Sequence, residues 1–256
     1  MEAVLIDIDG VLTVSWRPLP GAVAAVSRLR AAGLKIALLT NTTSRTRASI
    51  AATLEGAGFP VTAGDVLTAP VLAAGYLAEH YPGARCLLLN SGDIRADLEG
   101  VVLVDDHPDI VLIGGAGPEF GYQALNRVFG HVQGGARLLA LHRNLYWRTD
   151  AGLQLDTGAF LAGLEQAAGV TAEVIGKPGA VFFQAALASL RAGPAQAVMI
   201  GDDIEADVLA AQRAGITGIL VRTGKYLPRA LKGASGTPDH IVDSIADVPS
   251  ILLSRS

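Results

Sequence analysis

The sequence has one cysteine, few aromatic residues and no long apolar run. A lone thiol cannot form an intrachain disulfide. Cys86 stands in the apolar run Cys86-Leu87-Leu88-Leu89, which predicts a buried strand residue rather than a nucleophile. No apolar stretch approaches the roughly 20 residues that a membrane-spanning helix requires. We therefore expect neither a disulfide framework nor a membrane protein.

Charge is also scarce, since only 17% of the residues are charged and the formal net charge is -4. A nucleic-acid binder carries a clustered basic surface, and Arg45 with Arg47 is too small a cluster to provide one. No signal peptide precedes the apolar residues 3–6. We expect a cytoplasmic protein without a nucleic-acid partner.

Short apolar runs alternate with helical stretches along most of the chain. The runs end at Gly, Asp or Asn, as strands buried on both faces of a parallel sheet do, and they cover residues 3–6, 35–39, 66–67, 85–89, 110–113, 137–141, 197–200 and 216–221. Predicted helices cover residues 21–31, 45–56, 122–132, 157–168, 179–191 and 204–214. The pattern predicts an α/β fold with a Rossmann-like, doubly wound parallel sheet and right-handed crossovers.

The middle third of the chain differs from the rest. It has its own strands and helices, but none of the acidic motifs that follow strands elsewhere. We predict an inserted α/β domain at residues 81–171 and a core domain formed by residues 1–80 and 172–256.

Two motifs directly follow the first two long predicted strands, where open α/β sheets bind ligands. The first, Asp7-Ile8-Asp9-Gly10, places two carboxylates in one turn. The second, Thr40-Asn41-Thr42-Thr43-Ser44, offers hydroxyls, an amide and a following helix N-terminus, which suit a phosphate. Each also has a simpler interpretation, as an Asp-capped turn or a helix N-cap.

Two later motifs add a cation and more acids. Pro178 restricts Lys177, whose ammonium could act as a point charge on a phosphate, although a surface lysine in a turn fits as well. Asp202, Asp203 and Asp207 gather after another predicted strand. Like charges so close need a compensating cation, and hard oxygen ligands suit Mg²⁺. Acids at a helix N-terminus could instead complement its dipole.

Taken together, these four motifs resemble the signature of the haloacid dehalogenase superfamily of phosphohydrolases. Their order is an acidic pair, Thr-Asn, Lys and a second acidic pair, and the resemblance spans nearly the whole chain. It is closest to subfamily IIA, the NagD-like group with a large C2-type cap between the second and third motifs. It implies that residues 81–171 form a cap, which we expect to close over the strand ends and govern specificity.

The resemblance implies a reaction with an aspartyl-phosphate intermediate. Asp7 would be the nucleophile, and Asp9 would be the general acid and then the general base. Mg²⁺ would be held by Asp7, the backbone carbonyl of Asp9 and Asp202. An acid at position 9 favours phosphoester chemistry over carbon–halogen chemistry.

The remaining motif residues would serve the same reaction. Thr40, Asn41 and Lys177 would bind the phosphoryl oxygens. Asp203 would orient the metal shell or Lys177, and Asp207 would support that network.

Three residues of the predicted cap are candidates for contact with substrate. Asp156 and Thr157 begin a predicted helix and resemble a cap loop that reaches the substrate, but an ordinary N-cap is an equal alternative. His142 follows an apolar strand and could face the site. A cap of this size favours a small phosphorylated metabolite as the partner, and a homodimer is compatible with the sequence.

Other functions are compatible with the same motifs. A phosphotransferase or mutase would use the same motifs, and a non-catalytic phosphate-binding protein could retain them. A receiver-type signalling domain also clusters Asp, Thr and Lys, but it is about half this length and carries its acceptor on a middle strand.

Overall fold

The computed structural model describes residues 1–149 and 152–253. The chain divides into two compact units. The first unit consists of Met1–Thr40, Arg47–Leu67 and Lys177–Ser256, and the second consists of Asn41–Thr46 and Thr68–Gly176. Each unit is built on its own parallel sheet.

The sheet of the first unit has the strand order β15-β14-β13-β1-β4-β5 within the described residues. Its strands are β1 (Ala3–Asp7), β4 (Lys35–Thr40), β5 (Val66–Thr68), β13 (Ala197–Gly201), β14 (Thr217–Val221) and β15 (His240–Val242). A small antiparallel pair, β2 (Thr13–Val14) and β3 (Arg17–Pro18), follows β1.

Helices flank this sheet. They are α1 (Ala22–Ala31), α2 (Arg47–Gly56), α6 (Ala180–Leu190), α7 (Ala210–Arg213), α8 (Pro228–Lys232) and α9 (Val248–Leu253), and a π-helical segment, Ile204–Leu209, leads into α7. Helix α1 packs against α9, and α6 packs against α7. Every residue of β1 and β13 is buried, which explains why these strands read as unbroken apolar runs.

The sheet of the second unit has the strand order β12-β9-β8-β6-β7. Its strands are β6 (Arg85–Leu89), β7 (Val102–Leu103), β8 (Ile110–Ile113), β9 (Arg137–Ala140) and β12 (Glu173–Val174). The unit also has α3 (Ala69–His80), α4 (Tyr122–Gln133), α5 (Thr157–Ala168) and an antiparallel hairpin of β10 (Tyr146–Thr149) and β11 (Gly152–Leu155). Counted within the unit, the strand order is 5-4-3-1-2, so it reverses between β6 and β8.

The α/β fold class and the parallel sheets predicted from the sequence are confirmed. All eight predicted strands are present, with ends within a residue or two. The prediction missed α3, because its residues are apolar around most of the helix and show no amphipathic stripe. It also missed several short elements: β2, β3, β7, β12, β15, the hairpin of β10 and β11, α8 and α9. The second unit starts earlier and ends later than the predicted insertion at 81–171, since it includes α3 and β12.

No helix in residues 1–149 and 152–253 has both the length and the apolar character needed to span a membrane.

Candidate active site

The candidate site of the first unit begins at the carboxyl end of β1. Asp7 is the last residue of this strand, and only 6% of its surface is exposed. The ammonium of Lys177 contacts Asp7 Oδ1 and lies 2.7 Å from Asp207 Oδ1. Lys177 is itself buried, and it precedes a cis peptide bond to Pro178. The motif lysine therefore lies inside the site, not on the surface.

Asp202 directly follows the neighbouring strand β13, and a backbone N–H group fixes its carboxylate. Its Oδ2 accepts a hydrogen bond from the backbone N–H of Lys225 at 2.6 Å. Gly10 and Gly224 both have positive φ, and a Cβ on either would lie 1.9 or 2.0 Å from that oxygen. Only glycine allows this close approach of two loops to one carboxylate.

The acids of this site are not fully neutralised by the nearby lysines. Burial raises the pKa of Asp7 to about 7; Lys177 opposes the shift and Asp207 adds to it. Burial, followed by repulsion from Asp7 and Asp207, raises the pKa of Asp202 well above its usual range, against the pull of Lys225. Burial opposes the charge on Lys177, but its ion pairs with Asp207 and Asp7 outweigh that effect and raise its pKa. The acids of the cluster thus carry more negative charge than Lys177 and Lys225 compensate.

The same cluster fits a small divalent cation. Carboxylate oxygens of Asp7, Asp202 and Asp207 lie within 4.8 Å of one another. Opposite ligands of an octahedral Mg²⁺ are about 4.2 Å apart, so a small contraction brings such oxygens to ligand distance. Asp207 is the least available of the three, because its Oδ1 pairs with Lys177 and its Oδ2 accepts from the Asp203 N–H at 3.3 Å. Asp7 and Asp202 are therefore the better donors.

The two supporting acids lie at the start of the π-helical segment. Asp203 caps it, since its Oδ1 accepts hydrogen bonds from the backbone N–H groups of Glu205 and Ala206 at 3.1 and 3.0 Å. Asp207 pairs with Lys177. Hydrogen bonds from the N–H groups of Asp207 and Val208 both end on the Asp203 carbonyl, and this π-helical turn sets the direction of Asp207.

Asp9 and Thr40 complete the predicted set in the first unit. The Asp9 side chain is exposed, yet desolvation by the surrounding protein raises its pKa, with Lys225 and Lys177 opposing. A raised pKa is suited to a group that must donate a proton. Thr40 ends β4 and is buried.

Asn41 belongs to the second unit, where its side chain lies beside Gly176. A Cβ on Gly176 would lie 2.7 Å from Asn41 Oδ1 and 2.1 Å from the Leu141 carbonyl oxygen. The Gly176 N–H donates to that carbonyl at 2.9 Å. The residue that precedes Lys177 must therefore be small.

The three cap candidates are buried in the second unit. Asp156 is the N-cap of α5 and accepts from the Thr157 N–H at 2.8 Å and the Ala116 N–H at 3.3 Å. The Thr157 hydroxyl donates to the Gly114 carbonyl. His142 Nδ1 lies 3.9 Å from Asp156 Oδ2. Asp156 thus has the N-cap role that the sequence left open, and substrate contact by these residues stays a prediction.

Lys225, Gly10 and Gly224 were not predicted as site residues. A signal for them existed, because Thr223-Gly224-Lys225 directly follows β14 and so lies at a strand end like the other motifs. The Thr223 hydroxyl donates to the Gly10 carbonyl, which ties this loop to the first motif.

The buried carboxylates and the lysine lie at the carboxyl edge of a parallel sheet, which is the edge where open α/β proteins bind their ligands. Two family models match the parts of the chain that contribute these residues. A model described as haloacid dehalogenase-like hydrolase matches residues 4–103, and a second, described as HAD-hydrolase-like, matches residues 174–248.

Known relatives match most of the chain. Phospholysine phosphohistidine inorganic pyrophosphate phosphatase of Xenopus laevis is 39% identical over 99% of this chain and 95% of the relative. Haloacid dehalogenase-like hydrolase domain-containing protein 2 of Bos taurus is 38% identical over 88% of this chain and 86% of the relative.

Solved structures share the fold. A p-nitrophenyl phosphatase from Archaeoglobus fulgidus has a TM-score of 0.92 at 25% identity and covers 98% of this chain and 99% of its own. A glycerol phosphate phosphatase from Mycobacterium tuberculosis, in complex with magnesium, has a TM-score of 0.86 at 28% identity and covers 95% of this chain and 75% of its own.

The chain belongs to the haloacid dehalogenase superfamily, in its NagD-like subfamily IIA. It is therefore an enzyme, a hydrolase of the phosphatase type that acts on phosphoric ester bonds.

Proposed function

We propose that this protein is a Mg²⁺-dependent phosphatase that hydrolyses small phosphate monoesters through an aspartyl phosphate on Asp7. The observation that carries the proposal is the environment of that side chain. Asp7 ends the central strand, one of its oxygens contacts the buried Lys177, and Asp202 lies in the same cluster. A carboxylate fixed in this way is pre-oriented for in-line attack.

In the first half-reaction, an oxygen of Asp7 attacks phosphorus, and the bond from phosphorus to the ester oxygen breaks. Asp9 gives its proton to the departing alcohol oxygen. The raised pKa of Asp9 supports this role, because the side chain keeps its proton to a higher pH than an ordinary aspartate. Lys177 and Thr40 bind the phosphoryl oxygens, and Asn41 adds an amide.

In the second half-reaction, Asp9 takes a proton from water as the water oxygen attacks phosphorus. The bond between phosphorus and Asp7 then breaks, releasing inorganic phosphate and restoring the carboxylate. Asp207 keeps the Lys177 ammonium in place throughout, through its 2.7 Å ion pair.

Asp7, Asp202 and the carbonyl of Asp9 would hold Mg²⁺. When bound, the cation screens repulsion between carboxylates and phosphate and stabilises the charge of the transition state. The donor chemistry, the raised pKa values of Asp7 and Asp202 and the magnesium in a structural relative support this assignment.

Trapping of the intermediate tests the proposal. The enzyme is mixed with an aryl phosphate and Mg²⁺, quenched in acid and reduced with borohydride, which converts an aspartyl phosphate to homoserine. Peptide mass spectrometry should find homoserine at position 7. An adduct on any other residue would contradict the assignment. Transfer of the phosphoryl group to an added alcohol instead of water would indicate a phosphotransferase.

Phosphoramidates and pyrophosphate are a second candidate substrate class. The Xenopus laevis relative, 39% identical to this chain, is named for phospholysine, phosphohistidine and inorganic pyrophosphate. The same site could act on them, since Asp9 can protonate a leaving nitrogen or phosphate oxygen as it does an alcohol oxygen. Comparing kcat/KM for phospholysine, pyrophosphate and an alkyl phosphate decides between the classes.

A further inference from the structure

The strand order of the second unit reverses between β6 and β8. In an open parallel sheet, the carboxyl ends of the strands at such a reversal border a crevice, and α/β proteins usually bind their ligands there. In this unit the loops at that place are residues 90–92, after β6, and 114–117, after β8.

A segment of the chain itself lies at this crevice. Residues 41–46 belong to the second unit although the chain around them belongs to the first. The side chain of Asn90 holds the segment: its Nδ2 donates to the Thr43 carbonyl at 2.9 Å, and its Oδ1 accepts from the Gly115 N–H at 2.8 Å. The same Nδ2 lies 2.9 Å from the carbonyl oxygens of Ser91 and Gly92.

Glycines allow the segment to approach both loops closely. A Cβ on Gly92 would lie 2.5 Å from the Ser44 carbonyl oxygen, and a Cβ on Gly115 would lie 2.4 Å from Thr43 Oγ1. Contacts below about 3 Å are closer than non-bonded atoms pack, so neither position has room for a side chain. The segment is thus seated where the sheet would otherwise receive a ligand.

We propose that Asn90 is a positioning residue for phosphate binding. It holds residues 41–46 in the crevice where the strand order of the second unit reverses. It thereby fixes the position of Asn41, which lies at the start of this segment and beside Gly176. The inference rests on the proposed function, because it assumes that Asn41 binds the phosphoryl group. It assigns to the second unit the holding of the second phosphate-binding motif.

Asn90→Asp tests this inference with little change of shape. The substitution keeps the acceptor toward Gly115 but removes the donor and faces a carboxylate toward carbonyl oxygens. We expect KM for an aryl phosphate and the inhibition constant of inorganic phosphate to rise together by about tenfold, the scale on which a lost buried contact shifts an equilibrium. We expect kcat to change by less than about threefold, because Asp7 and Asp9 are untouched.

Tyr76→Phe is the matched control. It removes the hydrogen bond from the Tyr76 hydroxyl to Glu173 within the same unit. The described contacts of Tyr76 do not involve residues 41–46. It should lower the melting temperature without changing the inhibition constant of phosphate. If Asn90 only stabilised the fold, Asn90→Asp would likewise lower the melting temperature and leave the inhibition constant of phosphate unchanged.

Gly115→Ala provides a second perturbation that does not depend on Asn90. The added Cβ would strike Thr43 Oγ1, so phosphate affinity should fall as in Asn90→Asp. Adding Thr43→Ala removes the struck oxygen and should restore at least about half of the lost affinity on a logarithmic scale.

Unchanged phosphate inhibition in both Asn90→Asp and Gly115→Ala, in an enzyme whose wild type turns over, would overturn the inference and leave the proposed function intact. A wild-type protein that forms no phosphoryl-enzyme would instead overturn the proposed function.

Discussion

The two units carry parallel sheets of similar design, but the carboxyl ends of their strands differ in chemistry. In the first unit these ends carry buried charge: Asp7, Asp202 and Asp207 with Lys177. In the second unit the ends beside the reversal carry an amide and glycines, and a piece of chain lies against them. One sheet edge can therefore be used for reaction chemistry and the same edge of another sheet for holding a loop.

The difference also has an energetic side. Burying carboxylates without full compensation costs stability, and the raised pKa values of Asp7 and Asp202 report that cost. The amide of Asn90 is satisfied by its neighbours and should stabilise its unit. Changes at the first edge should thus remove turnover at little cost in stability. Changes at the second edge should lower stability and phosphate affinity and leave kcat nearly unchanged.

The largest effect is expected for Asp7→Asn. Turnover should fall to background, because an amide is a poor nucleophile. In metal-free protein above pH 7, the melting temperature should stay unchanged or rise, since the substitution removes a buried charge that the fold disfavours. Circular dichroism and a phosphatase assay measure both. A large loss of stability would show that the edge is structural, and not reserved for chemistry.

Metal removal should be almost as severe. Excess EDTA should abolish turnover, and Mg²⁺ should restore it, because the clustered carboxylates and the phosphate otherwise repel each other. Calorimetric titration of Mg²⁺ gives a readout independent of activity. Asp202→Asn should weaken binding strongly, whereas Asp109→Asn, at an exposed carboxylate paired with Arg85 in the second unit, should not. Full turnover in EDTA contradicts the mechanism.

A smaller effect is expected for Asp9→Asn. Loss of a general acid–base lowers the rate by about 10²-fold or more. The first half-reaction should suffer more with an alkyl phosphate than with a nitrophenyl phosphate, whose leaving group needs no proton. Rapid-quench kinetics separates the half-reactions. Equal losses on both substrates would remove Asp9 from the proton-donor role.

Asp156→Ala should act mainly on stability. Loss of an N-cap costs about 1 kcal/mol of unfolding free energy. If the second unit acts as a cap, the substitution should also change the ratio of kcat/KM between two phosphate esters more than it changes the rate on a small aryl phosphate. Ser244→Ala, which removes a cap in the first unit, is the control. Identical substrate ratios in both variants would place specificity outside this part of the second unit.

The smallest effect concerns Cys86, in the interior of the second unit. Burial raises the pKa of its thiol from 9.0 to about 11. The folded state therefore favours the protonated form, so this contribution to stability is complete below about pH 9 and is lost as the pH rises toward about 11. Cys86→Ala should flatten the alkaline decline in melting temperature. A thiol that reacts with an aromatic disulfide reagent in the native protein near neutral pH would contradict its burial.

Strand positions were predictable because buried parallel strands carry their signal in every residue. Asp7 and Lys177 could be predicted as members of one site only through the resemblance, since 170 positions separate them in the chain. The backbone N–H of Lys225 that holds Asp202 has no residue signature at all, because every residue except proline offers that donor. The assignment of Lys177 to Asp207 depended on a π-helical turn, and helical periodicity does not predict such a turn.

The discontinuous path of the first unit also governs the order in which the protein can fold. Strand β1 is paired on one side with β4 and on the other with β13, where Ala3 faces Ala197. During synthesis, β13 emerges only after most of the chain, so β1 lacks its second neighbour until then. Thr68–Gly176, by contrast, emerges as a nearly complete unit. Such long-range pairing slows folding and leaves an apolar strand edge exposed in the meantime. Nascent chains stopped before β13 should accordingly need protection from aggregation, and the inserted unit should be the first part to resist protease.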